Sequence, residues 1–336
     1  MCGPAALAKT GRMRLTTSPT QEVRSPPFLA LWLRTMRVPF LQATIVPVIL
    51  GGVIAFQVAH VFNIGTFLLT LLGASLIQIA TNMLNDYFDF KSGNDLQVKH
   101  QNPFAGGGRI LTAGLVKPST HILVAITCLV LGSLIGLYFI FALSLPYLFI
   151  LGLIGVISTY AYVGPPFRLA YRGVGELIVG LNFGPVMTLG AYYVQAHSFA
   201  IAPLLASIPV GLLIAAVLWI NEFPDMDADN AVGKKTLVLR LGYTKSISVY
   251  VGMVVTAYIL IILYALLEIF SPGITSLTSL IALLSLPFAL KAIRILRANY
   301  KDPHAIIPAN ANTIFLHLSF GVLAILGFAL GAALGL

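Results

Sequence analysis

The sequence predicts an all-α polytopic membrane protein of about nine transmembrane helices, and three observations carry that expectation. Hydrophobic residues make up 58% of the chain and charged residues only 9%, with a mean hydropathy of +0.93; soluble domains carry about 25% charged residues. Apolar runs near the roughly 20 residues needed to cross a bilayer recur at about 38–60, 65–88, 119–142, 146–163, 173–195, 200–222, 246–269, 274–297 and 312–335. All 20 Lys and Arg residues fall in the tail or in alternate connections between these runs.

The elements follow in order. Residues 1–33 form a basic tail with no apolar stretch before residue 28, so no cleavable signal peptide is expected. Its composition also suits a transit peptide; a basic cytoplasmic tail is the simpler reading. Residues 34–336 read as one transmembrane domain. The basic segments are the tail (Lys9 to Arg37), the 2–3 loop (Lys91 to Lys117), the 4–5 loop (Arg168, Arg172), the 6–7 loop (Lys234 to Lys245) and the 8–9 loop (Lys291 to Lys301). With nine spans they share one side, which the positive-inside rule makes cytoplasmic. The C-terminus is then on the opposite side of the cell (inner) membrane. Of the 11 acids, only Glu268 lies away from that basic side. The net charge of +9 therefore belongs to one face, where it serves topology and attraction to anionic lipid; no nucleic-acid partner is expected. Two cysteines, Cys2 and Cys128, are too few for a disulfide framework or a metal knuckle.

Span 2 ends in a polar stripe. Gln78, Asn82, Asn85 and Asp89 are spaced by four, three and four, and so lie on one helical face with Asp86 beside it. In an apolar span that face must look into the bundle rather than into lipid. The pattern Asn85-Asp86-Tyr87-Phe88-Asp89 returns after span 6 as Asn221-Glu222-Phe223-Pro224-Asp225. Asp229 follows four residues later, and Pro224 is placed to end the span and aim these acids inward. The repeat suggests two parallel halves, about 38–163 and 173–297, with a last helix at 312–335.

Carboxylate and amide oxygens suit hard cations, and Mg2+ takes one or two carboxylates while leaving positions for water and phosphate. Asp89, Asp225 and Asp229 packed together without a cation would repel one another. Hydrogen bonding between helices accounts equally well for Gln78 and Asn82. Asp225-x-Asp227-x-Asp229 is not a calcium loop, because position six is Asn230 and position twelve is Thr236. Each motif leads into a basic Gly-containing segment, Gly106-Gly107-Gly108-Arg109 and Gly233-Lys234-Lys235-Thr236-Leu237. Main-chain N–H groups of such a Gly run suit phosphate oxygens. The segment Tyr160 to Arg168 closes span 4 with Pro165-Pro166. Tyr160 suits a cation or an acceptor ring, and interfacial anchoring explains Tyr160 and Tyr162 equally. Arg172 and Glu176, four apart, are expected to pair.

These motifs together resemble the UbiA superfamily of intramembrane aromatic prenyltransferases, from about Arg34 to the end of the chain. Asn85-Asp86-x-x-Asp89 looks like its first aspartate motif, and Asn221 to Asp229 with Gly233 to Leu237 like its second. Arg37-Val38-Pro39 resembles its Arg-Pro element, and Tyr160 to Arg168 its Tyr-and-Pro segment. Within the family, the branch that prenylates 1,4-dihydroxy-2-naphthoate on the way to menaquinone is most similar. The likeness rests on Asp89 to Gly93, Arg172 to Glu176, Phe183 to Met187 and Tyr192 to Gln195. The Asn102 to Gly108 loop departs from it, lacking the aspartate-rich basic version, which bears on the acceptor.

The resemblance implies a helix bundle around a central cavity, capped on the cytoplasmic side by the 2–3 and 6–7 loops. It implies a Mg2+-dependent transfer from a polyprenyl diphosphate to an aromatic acceptor, with two ions. Asn85 and Asp89 would hold one ion, and Asp225 and Asp229 the other. Asp86, Asp95, Asn221 and Glu222 would stand behind them. Arg109, Lys234 and Arg168, with Lys91 and Arg37, would meet the diphosphate, and Tyr160 the allylic cation. Acceptors such as 4-hydroxybenzoate, homogentisate or a porphyrin stay open. So does a secondary transporter, in which intramembrane acids and repeats also occur.

Overall fold

The computed structural model describes residues 26–97, 110–270 and 276–334. Within these residues the chain is helical, and each predicted span is a helix: α1 Val38–Ala59, α2 Ile64–Ser92, α3 Pro118–Ala142, α4 Leu148–Ala161, α5 Gly175–Ala196, α6 Ile201–Asn221, α7 Leu237–Phe270, α8 Leu277–Asn299 and α9 Ile307–Leu334. Eight are long and apolar enough to cross a membrane. The exception, α4, has 14 residues, about 21 Å of rise. It falls short of the roughly 30 Å hydrocarbon core. The tail before residue 26 and the triple-glycine loop with Arg109 lie outside the described residues.

Local chemistry sets the helix ends. Asn63 accepts a hydrogen bond from the Thr66 N–H at 3.0 Å and caps α2. Gly93, at φ 80°, ends α2 in a left-handed turn that suits glycine. Pro185 has no N–H to donate inside α5, and the backbone relaxes there into a π-turn, Asn182–Val186. α7 bends at Gly242, where φ is 71°.

Helices approach closely where side chains are absent. A Cβ on Gly184 of α5 would fall 2.7 Å from the Cα of Gly211 on α6, and one on Gly51 of α1 would fall 2.5 Å from the Thr188 carbonyl of α5. Small residues permit such contacts between membrane helices. The main core joins α1, α6, α7, α8 and α9 through buried Leu50, Trp219, Val254, Ala289 and Phe320. Two hydrogen bonds cross it. The Trp219 indole N–H donates to the Ser246 carbonyl at 3.0 Å, and the Tyr250 and Thr313 hydroxyls are 2.6 Å apart. Helices α1 to α6 line a cavity of about 580 Å3.

Candidate active site

α2 runs 29 residues, about 43 Å, well beyond the hydrocarbon thickness. Its last turns carry the first acidic motif to the mouth of the cavity. Gln78, Asn82, Asn85 and Asp89 all line that cavity, as their spacing requires. Gln78 serves structure: its amide donates to the Phe40 carbonyl at 2.8 Å, and its oxygen accepts from Thr44. Asp86 turns away and pairs with Arg37.

The second motif reaches the same mouth by a different route. α6 stops at Asn221, and a turn through Pro224 leads to the short helix Met226–Ala231. Asn221, Asp225 and Asp229 line one cavity wall although no single helix carries them. Gly233, at φ 73°, then reverses the chain. The Lys234 N–H donates to the Asp229 carbonyl at 2.8 Å, and Lys234 Nζ reaches Asp229 Oδ1 at 3.2 Å. Asn94, just past α2, donates to Asp229 Oδ1 at 3.4 Å, so the segment after the first motif meets the second through side chains. Asn310 of α9 donates to Asn221 Oδ1 at 2.7 Å.

Burial and like charge dominate the electrostatics of this mouth. Asp225 is pushed up to about 7 by burial and then by Asp229, and Asp95 to about 7 by burial and then by Asp89 and Asp86. Burial also raises Asp229 and Glu222, the latter further by Glu176. Burial opposes the Lys234 ammonium, yet Asp229, Asp89 and Glu222 outweigh it and hold the group well above the ordinary lysine range. Asp229 is 1% exposed, and its second carboxylate oxygen has no protein partner; the same holds for one oxygen of Glu222. Such orphaned oxygens fit a hard cation. Among the described residues no three acidic, His or Cys side chains form a cage of their own.

Several expected residues stand elsewhere. Tyr160 does not line the cavity: its hydroxyl donates to the Pro165 carbonyl at 2.6 Å, and its ring packs edge-on to Phe88. Arg168 and Lys91 are exposed and outside the cavity lining, because Arg168 sits at a left-handed bend and Lys91 on the outer face of α2. Arg37 does line the cavity, tied to Asp86. Arg172 and Glu176 do not pair, since Gly173 at φ 72° breaks the helical turn between them. Arg172 donates to the Pro166 carbonyl at 2.9 Å, and buried Glu176 accepts from the Leu237 N–H at 3.0 Å.

Tyr171 is the residue that spacing missed. Its hydroxyl donates to Asp89 Oδ1 at 2.7 Å and lies 3.0 Å from Ser92 Oγ. Lys234 Nζ stands 5.7 Å from its ring centroid, and the Arg168 guanidinium 5.8 Å. The visible signal was an aromatic between two arginines in the 4–5 loop, which has no periodicity. Tyr162 also lines the cavity.

The mouth thus gathers acids of both motifs at one cavity that also has apolar walls. Residues 44–318 match the model of the UbiA prenyltransferase family. The chain belongs to that family. It is an integral membrane prenyltransferase, and the transporter alternative falls. A UbiA family relative, the 1,4-dihydroxy-2-naphthoate octaprenyltransferase of Bacillus subtilis, is 32% identical over 88% of this chain and 91% of its own length. The 2-carboxy-1,4-naphthoquinone phytyltransferase of Synechocystis is 30% identical over 93% of this chain and 97% of its own. A UbiA homolog from Archaeoglobus fulgidus, bound to DMAPP and Mg2+, shares the fold with a TM-score of 0.55 at 17% identity, covering 88% of this chain and 98% of that one. The apo UbiA homolog from Aeropyrum pernix K1 gives 0.62 at 13% identity, over 86% and 98%.

Proposed function

We propose that this UbiA family enzyme transfers a polyprenyl group from its diphosphate to 1,4-dihydroxy-2-naphthoate, with Mg2+. The observation that carries the reading is the cavity itself: carboxylates of both motifs and Lys234 at one end, an apolar chamber below. The two relatives differ in the named prenyl group, octaprenyl against phytyl, but both names give a carboxylated naphthalene acceptor. The positive-inside rule favours a cell-membrane enzyme with this mouth cytoplasmic and the C-terminus opposite.

In this reading Asn85 and Asp89 hold one ion and Asp225 and Asp229 the other, with Asp86, Asp95, Asn221 and Glu222 as supports. Bound Mg2+ would supply Lewis-acid stabilisation of the charge gathering on diphosphate. Lys234 adds a fixed positive charge at the same place, and Arg109 is proposed beside it from its sequence setting. The allylic C–O bond breaks with its electron pair on diphosphate. The electron-rich ring carbon bearing the carboxylate forms the new C–C bond. That carboxylate leaves as CO2, and its bonding pair restores aromaticity. The apolar walls keep water from the allylic cation.

The test is a matrix assay read by mass spectrometry. Purified enzyme receives several prenyl diphosphates with dihydroxynaphthoate, 4-hydroxybenzoate, homogentisate or a porphyrin. Product with dihydroxynaphthoate, lost in EDTA and restored by Mg2+, is expected. Transfer only to another acceptor, or transfer indifferent to EDTA, overturns the corresponding part of the proposal.

A further inference from the structure

One polar pair stands among the apolar walls of the cavity. On α5 the lining residues Val179, Asn182, Phe183, Val186, Met187 and Gly190 are alternately three and one apart, so they share one helical face. Among the described residues, Asn182 is the only polar side chain that α5 gives to this lining. It opens the π-turn Asn182–Val186, and such turns inside helices are frequent at functional sites. On α4, Ser158 belongs to the cavity-lining stripe that runs through Gly155, Ser158 and Tyr162.

The pair has hydrogen-bonding capacity left over. The Asn182 amide nitrogen donates to the Ile178 carbonyl at 2.9 Å and to the Ser158 hydroxyl at 3.2 Å. A carbonyl can only accept, so Ile178 fixes which end of the amide is nitrogen. Among the described residues nothing donates to the amide oxygen, and nothing accepts from the Ser158 hydroxyl. The other small hydroxyls of the lining differ. Thr70, Thr81, Ser133 and Thr159 each donate to the carbonyl four residues earlier on their own helix. Depth follows from Thr159, next to Ser158, whose hydroxyl is 2.9 Å from that of Thr81 on α2. Along α2, Thr81 lies about 6 Å below Asn85 and about 12 Å below Asp89. The pair therefore sits one to two helical turns beneath the acids of the mouth.

An unused O–H beside an unused amide oxygen is the complement of one hydroxyl, which both donates and accepts. A few polar groups in an apolar pocket are what orient a ligand. In 1,4-dihydroxy-2-naphthoate the 1-hydroxyl stands beside the carboxylate and forms an internal hydrogen bond with it, which leaves the 4-hydroxyl free. We infer that Asn182 and Ser158 form the acceptor subsite: the 4-hydroxyl donates to the Asn182 amide oxygen and accepts from Ser158. Held there, the ring turns its carboxylate-bearing carbon up toward the diphosphate at the mouth. The inference rests on the prenyl-transfer reading above and names the groups that choose its acceptor.

The experiment titrates the full-length enzyme in nanodiscs, under nitrogen, with Mg2+ and the sluggish donor analogue geranyl S-thiolodiphosphate. The ligands are 1,4-dihydroxy-2-naphthoate and 1-hydroxy-2-naphthoate, which lacks only the 4-hydroxyl. Wild type should bind the dihydroxy compound about tenfold or more tighter, because the other leaves both protein groups unpaired. Asn182→Leu, similar in size, should bring the two within about threefold, chiefly by weakening the first. Ser158→Ala removes a single atom and serves if the leucine variant does not fold; it should narrow the ratio by about threefold or more. Affinity for Mg2+ and for the donor analogue should stay unchanged in both variants. A pair that only ties α4 to α5 would weaken both naphthoates alike. That result, a ratio unchanged in either variant, or a wild type blind to the 4-hydroxyl overturns the inference while prenyl transfer stands. A wild type that binds neither naphthoate and prenylates another acceptor overturns the dihydroxynaphthoate reading, and this inference with it.

Discussion

The Tyr171 hydroxyl donates to Asp89 Oδ1 at 2.7 Å while the Lys234 ammonium lies 5.7 Å from the same ring. One side chain from the 4–5 loop thus touches the acid of the first motif and the cation of the second. Partners of this kind typically affect metal affinity by about 10–100-fold. Tyr171→Phe should leave the melting temperature nearly unchanged and raise the Mg2+ concentration for half-maximal activity by about tenfold. An unchanged Mg2+ requirement would reduce Tyr171 to packing.

Asp225 illustrates function held against stability. Its carboxyl is pushed from the ordinary 3.8 up to about 7, first by burial and then by Asp229. Between these values the folded protein keeps a proton that the unfolded chain has released. The metal-free enzyme should therefore lose stability as pH rises from about 4 through 7. Cation binding needs the proton gone, so the melting-temperature gain from Mg2+ should be larger at pH 8 than at pH 6. Asp225→Asn should abolish turnover yet raise the metal-free melting temperature at pH 8 by about 2 °C or more. Measured denaturation with and without Mg2+ decides it: a variant less stable than wild type at that pH contradicts the account.

Lys234 holds the counter-charge for several buried acids. Lys234→Met leaves Asp229 uncompensated, and unpaired buried charge is strongly destabilising. We expect at least about a hundredfold loss of kcat/KM and a lower melting temperature at pH 8. The stability loss should shrink at pH 5.5, where the acids take up protons. A pH-independent stability loss would point to packing of the lysine stem instead.

Arg37 and Asp86 form an ion pair whose side chains are 16% and 11% exposed. Breaking it from either side should cost about 2–3 kcal/mol after allowance for partial solvent access. The double variant Arg37→Met with Asp86→Leu should recover more than half. A thermodynamic cycle that shows simple additivity would mean the pair contributes little.

The fold was legible because membrane spans announce themselves by length and by the placement of charge. Each predicted run became a helix; only α4 is too short to span alone. The polar stripe of α2 was legible for the same reason, since Gln78 to Asp89 obey a helical period on a continuous helix. Prediction weakened where periodicity stops. Arg172 and Glu176 were four apart in sequence, but Gly173 takes a left-handed turn between them. Tyr160 lies in the last turn of α4 and Tyr171 in the loop after it, and only the path of the backbone decides which faces Asp89. Asn94 could not be foreseen as a partner of Asp229, because nothing in either segment encodes their meeting.

The Lys235 N–H donates to the Tyr171 carbonyl at 3.0 Å, and Arg240 donates to the Arg172 carbonyl at 2.9 Å. The first of these is a main-chain bond, which no amino-acid replacement other than proline at Lys235 removes. Sequence drift can therefore rewrite the side chains of both loops and leave the stitch in place. An inserted residue cannot be absorbed so easily, because it shifts the register of Tyr171 against Lys234. The geometry therefore depends on the count of residues between Tyr171 and α5, and between Asp229 and α7, more than on their identity. Single-residue insertions at these two places should be far more damaging than substitutions at the same positions.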